Sequence, residues 1–290
     1  MFATLDPALL GLAFVLGLVA GSFVNVVVHR VPRGESIVAP PSHCPACGRA
    51  IRPWENVPVL SYLWLRGRCA GCAGRISPRY PLLELGVGGI FAWLAAVHGP
   101  VAMLPLWMAL AAALVAAAVI DFEHHWIPDA ISLGGLGFGL VAVPLARALD
   151  GAAYPEALRS ALLGALLGGG ALWAVGFAHA RLSTGLGRRF AHWPGEGEAP
   201  PRPGSLDYWT WFPGLGFGDV KLVAMVGSFV GPAGVMATVA IGAAAGLLLG
   251  LAFALAGRGW SSPFGFAPAI AVGALAVIGS PVPVLPLLLP

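Results

Sequence analysis

Charge is scarce in this sequence. Asp, Glu, Lys and Arg make up only 10% of the 290 residues, whereas 58% are hydrophobic and the mean hydropathy is +0.84. A soluble domain carries about 25% charged residues, so the composition excludes a soluble globular protein and predicts an integral membrane protein in contact with lipid. The net charge of +3 is too small to indicate nucleic-acid binding, and we expect no such partner.

Motifs for nucleophilic or metal-assisted hydrolysis are also missing. No serine lies in a G-x-S-x-G turn and no H-E-x-x-H zinc-protease motif occurs. Only four cysteines are present, and all of them fall within residues 44–72. Any hydrolytic chemistry must therefore be sought among the few carboxylates.

Long uncharged runs predict about eight transmembrane helices. Roughly 20 apolar residues span a bilayer, and the runs at 9–28 and 101–120 have this length. The run 222–256 is 35 residues long, and the glycines and proline at 231–234 divide it into two crossings. The other candidates are residues 82–97, 130–146, 160–178 and 264–289. The expected fold class is an all-α membrane protein, a polytopic helix bundle.

The basic residues predict the orientation of the bundle. On this assignment 14 of the 16 Lys and Arg residues lie on one side, and only Arg147 and Arg159 lie on the other. The side rich in basic residues is normally cytoplasmic, so both chain ends are expected outside. Asp121 and Asp219 then both lie at the cytoplasmic edge, on the third and sixth spans.

The cysteines form two pairs in one cytoplasmic loop. Their pattern is C-x2-C-x21-C-x2-C, comprising Cys44, Cys47, Cys69 and Cys72. Two such pairs suit a closed tetrahedral site for structural zinc, and the reducing cytoplasm disfavours disulfides. A redox or iron–sulfur role, a metal-free loop, and His43 as a substitute ligand are the alternatives. A metal would stabilise a cytoplasmic domain over residues 30–80 that is too small for a large core.

Carboxylates at membrane boundaries are the candidate catalytic groups. Five acidic residues lie there: Glu84, Asp121, Glu123, Asp129 and Asp219. Taken alone, Asp219 is also typical of a helix N-cap, and Asp121 of an interfacial carboxylate paired with an Arg or His. Two close carboxylates in a low dielectric cannot both ionise easily. One can then act as general base on a water while its protonated partner polarises a peptide carbonyl.

Several motifs resemble those of the bacterial prepilin peptidases, or type 4 prepilin leader peptidase/N-methyltransferases, which are GxGD-type intramembrane aspartyl proteases. The resemblance covers nearly the whole chain. It includes residues 21–32 (GSFVNVVVHRVP), both cysteine pairs, residues 76–81 (ISPRYP), the segment around Asp121 through Asp129, and residues 216–222 (GFGDVKL).

The resemblance implies that Asp121 and Asp219 are the catalytic pair, supported by Gly216, Gly218, Lys221 and Asp129. It implies cleavage of the basic leader of prepilins and pseudopilins of type IV pilus and type II secretion systems. It also implies methylation of the new N-terminus with S-adenosylmethionine. Candidates for the methyl-transfer site are Gly67, Glu55 and Asn56.

The resemblance further implies a multi-pass protein of the bacterial inner membrane in three parts. These are a first transmembrane helix at 1–29, the zinc-binding part at 30–80, and a protease part at 81–290 with a long cytoplasmic loop at 181–218. Two alternatives are a peptidase whose zinc loop is only structural, and a polytopic transporter.

Overall fold

The described residues of the chain fold mainly into helices. The computed structural model describes residues 6–188, 201–213, 215–255 and 265–280, and within these residues β-structure is limited to isolated bridges. The helices are α1 (Pro7–Arg30), α2 (Leu60–Trp64), α3 (Arg79–His98), α4 (Leu104–His124), α5 (Asp129–Leu149), α6 (Tyr154–Gly185), α7 (Asp207–Thr210), α8 (Phe217–Phe253) and α9 (Ala267–Ile278).

Six of these helices, α1, α3, α4, α5, α6 and α8, are long and apolar enough to cross a membrane. Helix α8 is bent at Gly231, whose backbone has φ 74° and ψ −177°. The Phe229 carbonyl accepts a hydrogen bond from Arg147 at the end of α5, whereas the Phe253 ring lies 6.4 Å from Phe122 at the end of α4. The two arms of α8 therefore run in opposite directions. With the short apolar helix α9, the described residues hold eight apolar helical segments, in agreement with the predicted number.

Close backbone contacts hold the bundle together. Helix α6 packs along α8, and Gly164 faces Gly227 so closely that a Cβ on either residue would overlap the other's carbonyl. Small residues at such crossings let helices approach in lipid, where dispersion contacts replace the hydrophobic effect. Helix α9 packs against the second arm of α8 and against α4, so it reaches the end of α4 that carries Asp121.

The connections on the Asp121 side differ slightly from the predicted boundaries. Helix α3 begins at Arg79, two residues before the expected boundary at 81. Helix α6 continues to Gly185, so the first residues of the expected loop 181–218 are helical. Residues 189–200 of that loop lie outside the described residues. The loop between α1 and α3 is attached to the bundle by Glu84, whose carboxylate accepts from the Val59 N–H at 2.7 Å.

Candidate active site and metal centre

Asp121 lies in the last turn of α4 and its side chain is buried, with 5% of the residue exposed. Its Oδ2 accepts a hydrogen bond of 2.9 Å from the N–H of Ala267, the first residue of α9. The first N–H groups of a helix have no partner inside it and attract negative charge. Asp121 is therefore oriented by the N-terminus of another helix.

Gly265 also lies against this carboxylate. A Cβ at Gly265 would overlap the Asp121 side chain and lie 2.7 Å from the Asp121 carbonyl oxygen. Sequence reasoning did not identify Gly265 or Ala267 as site residues. Ala267 contributes only a backbone N–H, and the contact joins residues 146 positions apart.

Asp219 lies in the first turn of α8 and is 8% exposed. The helix begins at Phe217 with Gly216 as its N-cap residue, and the Asp219 N–H donates to the Gly216 carbonyl at 3.0 Å. Asp219 is thus inside the helix, and its side chain is not the N-cap. Gly218 faces Ile127, which follows the end of α4; a Cβ there would lie 3.3 Å from the Ile127 Cβ.

These contacts bring the two predicted aspartates together at one end of the bundle. Both side chains are buried, and Gly218, which precedes Asp219, faces Ile127, which follows the end of α4 that carries Asp121. Two carboxylates that lie close together in a buried site cannot both ionise easily, so one of them tends to hold a proton. The arrangement can supply both a general base and a general acid to a substrate between α4 and α8.

Ion pairs surround this site. Lys221 lies two residues after Asp219. Its amino group binds the carboxylate of Asp129, the first residue of α5. Arg79 at the start of α3 pairs with Glu123 in the last turn of α4. The structure therefore gives Lys221 and Asp129 a shared role, which is to link the beginnings of α8 and α5 beside Asp219.

An aromatic cluster fixes the segment that leads into Gly216. Trp209 stacks on Phe177 of α6 with ring centroids 5.2 Å apart. Arg181 lies 3.6 Å above the Tyr208 ring and donates to the Tyr208 carbonyl at 2.6 Å. Phe212 is buried beside Phe177. The turn before Asp219 is thereby packed against the end of α6.

The four predicted metal ligands form one cluster. The sulfur atoms of Cys44, Cys47, Cys69 and Cys72 all lie within 4.8 Å of one another, and those of Cys44 and Cys72 are 3.9 Å apart. Tetrahedral zinc with Zn–S bonds of about 2.3 Å requires sulfur atoms about 3.8 Å apart. The donor set and its spacing therefore fit such an ion, and no disulfide joins these cysteines.

The two halves of the cluster are built alike. In the first, the N–H of Cys44 donates to the Arg49 carbonyl and the N–H of Gly48 to the Cys44 carbonyl. In the second, the N–H of Cys69 donates to Gly74 and that of Ala73 to Cys69. The N–H groups of Cys72 and Gly71 lower the pKa of the Cys69 thiol to about 6, which favours the thiolate that binds metal.

The candidate methyl-transfer residues lie in the same loop. Arg49 holds the pKa of Glu55 below its usual range by a 2.6 Å ion pair, with help from the Arg52 N–H. Asn56 is exposed beside it at the end of a short 3-10 helix, Pro53–Asn56. Gly67 is buried, has φ 68°, and lies against the Tyr62 hydroxyl. Glu55 and Gly67 thus have structural contacts that would exist without any catalytic role.

The fold and site define an all-helical, multi-pass membrane protein with two buried aspartates at one end and a four-cysteine cluster in the loop between α1 and α3. Comparison with protein families gives matches to two parts of the chain. Residues 15–98 match the bacterial Peptidase A24 N-terminal domain, and residues 108–251 match the type IV leader peptidase family. The chain belongs to this family of prepilin leader peptidases.

Curated relatives match over almost the full chain. A prepilin leader peptidase/N-methyltransferase of Burkholderia pseudomallei is 34% identical, covering 96% of this chain and 87% of the relative. A protein with the same name from Neisseria gonorrhoeae is 32% identical, covering 93% and 90%. The type 4 prepilin-like proteins leader peptide-processing enzyme of Escherichia coli is 33% identical, covering 96% of each chain. No solved structure matches this chain significantly.

Proposed function

We propose that this protein is a bifunctional enzyme that removes the leader of type IV prepilins or pseudopilins and then methylates the new N-terminal residue. Membership of the family and the names of full-length relatives support both activities. The observation that supports the peptidase assignment is the burial of Asp121 and Asp219 at the same end of the bundle, where Gly218 packs against Ile127 and Ala267 binds Asp121.

We assign the hydrolysis of the peptide bond to Asp121 and Asp219. A prepilin presents an apolar helix in the membrane, and its basic leader lies beyond the cytoplasmic boundary. One carboxylate takes a proton from water as the oxygen attacks the scissile carbonyl, while the protonated partner donates a hydrogen bond to the carbonyl oxygen. The proton then passes to the leaving amine, without a covalent intermediate. In the competent state we expect the carboxylates to lie roughly 3–6 Å apart, within hydrogen-bond or one-water reach.

Orientation follows from the distribution of basic residues. The long helices support a multi-pass membrane protein, and we assign it to the bacterial inner membrane with the aspartates and cysteines on the cytoplasmic side. There the site meets the basic leader without unwinding the substrate helix deeply. Nothing in the described residues of the site favours the alternative of a polytopic transporter.

Zinc is the metal we assign to the cysteine cluster. Four thiolates close the coordination shell and leave no position for water, so the ion would supply a structural cross-link and no catalysis. Cys44, Cys47, Cys69 and Cys72 would hold it. The methyl donor, S-adenosylmethionine, is a substrate of the second reaction, and Gly67, Glu55 and Asn56 remain candidates for its site. We assign residues 30–80 to methyl transfer and residues 81–290 to the membrane-embedded protease, with residues 1–29 as the first transmembrane helix.

Intact-mass analysis tests both activities in one reaction. Purified protein is incubated with a prepilin, with and without S-adenosylmethionine. We expect loss of the leader in both reactions and the addition of one methyl group only with the donor. Leader removal without methylation would identify a peptidase whose zinc loop is structural. An unprocessed prepilin would refute the proposed function.

A further inference from the structure

A row of exposed apolar side chains surrounds α2 in the loop between α1 and α3. Trp64 is 89% exposed, and Leu60, Leu63 and Trp54 are each about two-thirds exposed, at 65%, 64% and 66%. Large apolar side chains clustered on a surface mark a site of interaction. None of them contributes to the metal cluster or to the aspartate site described above.

The position of α2 along α3 places this surface at the edge of the membrane. The N–H of Val59, immediately before α2, donates to Glu84 at 2.7 Å. Glu84 is five residues into the membrane-spanning helix α3, a distance of about 7.5 Å along its axis. Leu82 and Leu85, at the same level of α3, are also exposed. The start of α2 is therefore attached within the level of the span.

The residues beside α2 have the composition of a membrane-interface segment. Tryptophan concentrates at the level of the lipid headgroups, and both Trp54 and Trp64 are here. Three exposed arginines accompany them: Arg52, Arg66 and Arg68. The Arg52 guanidinium lies 5.5 Å from the centre of the Trp54 ring. Arginine beside apolar side chains suits anionic headgroups, and the neighbouring helices α1 and α3 are long and apolar enough to cross a membrane.

We propose that α2 and the turn Pro53–Asn56 form an interfacial anchor that lies in an anionic lipid surface and holds the metal-site loop against the membrane. Glu55 and Asn56 lie within the anchor, and Gly67 follows the end of α2 by three residues. If the protein has the proposed function, the anchor keeps the candidate methyl-transfer residues at the level where a cleaved, membrane-embedded helix presents its new amino group. Loss of the anchor should then impair methylation more than cleavage.

Photocrosslinking of the full-length protein tests the anchor without requiring activity. Trp64→p-benzoylphenylalanine protein is reconstituted in vesicles containing phosphatidylglycerol, irradiated, and analysed by intact mass. We expect a phosphatidylglycerol adduct. The same replacement at Val38, which is 86% exposed in the same loop but lies outside α2 and Pro53–Asn56, is the matched control, and position 64 should give more lipid adduct than position 38. Crosslinking of position 64 to prepilin or to a second copy of the chain, or no adduct at all, would overturn the proposal.

Activity provides the second measurement. In Leu63→Gln/Trp64→Gln protein we expect methylation to fall at least about tenfold, the factor that corresponds to the lower end of the range for lost burial of one large apolar side chain. Leader cleavage and zinc content should stay near those of Val38→Gln protein. Equal losses of cleavage and methylation would contradict a role in placing the loop. If the wild-type protein cleaves no prepilin but the Trp64→p-benzoylphenylalanine protein still yields the lipid adduct, the proposed function fails and the anchor stands.

Discussion

Gly265→Ala should strongly reduce leader cleavage, although Gly265 has no reactive side chain. The new Cβ would overlap the Asp121 carboxylate and would lie 2.7 Å from the Asp121 carbonyl oxygen, 0.7 Å short of ordinary contact at 3.4 Å. Relief requires Asp121 or the start of α9 to move by about an ångström. A shift of this size in a positioned catalytic group costs about 100-fold in rate, or about 2.7 kcal/mol of transition-state stabilisation.

Steady-state cleavage of a prepilin, followed by gel shift or mass, gives kcat and KM for this variant. We expect kcat to fall about 100-fold, with KM little changed because the substitution acts through Asp121. Gly137→Ala is the matched control, since no atom lies within 4 Å of its new Cβ in helix α5. Thermal unfolding of both variants checks that they are folded. A folded Gly265→Ala protein with wild-type kcat would refute the proposed positioning of Asp121 by α9 and Gly265.

Three further predictions concern the surroundings of the site. Zinc analysis should give about one ion per chain, and removing the ion with a chelator should make the loop around Cys44 and Cys69 sensitive to protease and abolish methylation before cleavage. A metal-free loop that stays resistant to protease would contradict the structural role of the metal. Trp209→Ala should destabilise the segment before Gly216 by about 1–3 kcal/mol through lost aromatic stacking, seen as faster proteolysis of residues 201–213 and slower cleavage, whereas unchanged proteolysis would count against the cluster's role. Lys221→Gln should lower the free energy of unfolding by less than about 1 kcal/mol because its partner Asp129 is largely exposed, and a double variant with Asp129→Asn should lose little more; additive losses would exclude a direct pair.

The sequence predicted those features that depend on local pattern. Uncharged runs located the membrane segments, and Gly231 with Pro232 marked the bend that the structure has in α8. The C-x2-C pairs predicted the cluster because each pair is a local turn, and the charge distribution placed Asp121 and Asp219 at the same end. The family resemblance distinguished Asp121 from Glu123 and Asp129, which topology alone could not do.

Contacts between distant residues were not accessible in this way. The N–H of Ala267 that binds Asp121 is present in every residue except proline, so no side-chain pattern announces it. Gly265 is required by the approach of two segments far apart in sequence. The apolar residues of α2 are too few to form a transmembrane run, and their significance depends on the Val59–Glu84 contact that fixes their level along α3. These features arise from packing between helices, which a single sequence does not specify.

The central claim is that Asp121 and Asp219 together hydrolyse the leader peptide bond. Asn at position 121 retains an acceptor for the Ala267 N–H, so Asp121→Asn separates the chemistry from the contact with α9. Intact mass of a prepilin incubated with Asp121→Asn, Asp219→Asn or Glu123→Gln protein is the most direct measurement. We expect no leader removal by either Asn variant, near-normal removal by Glu123→Gln, and unchanged zinc content in all three. Leader removal at the wild-type rate by Asp121→Asn or Asp219→Asn protein would contradict it.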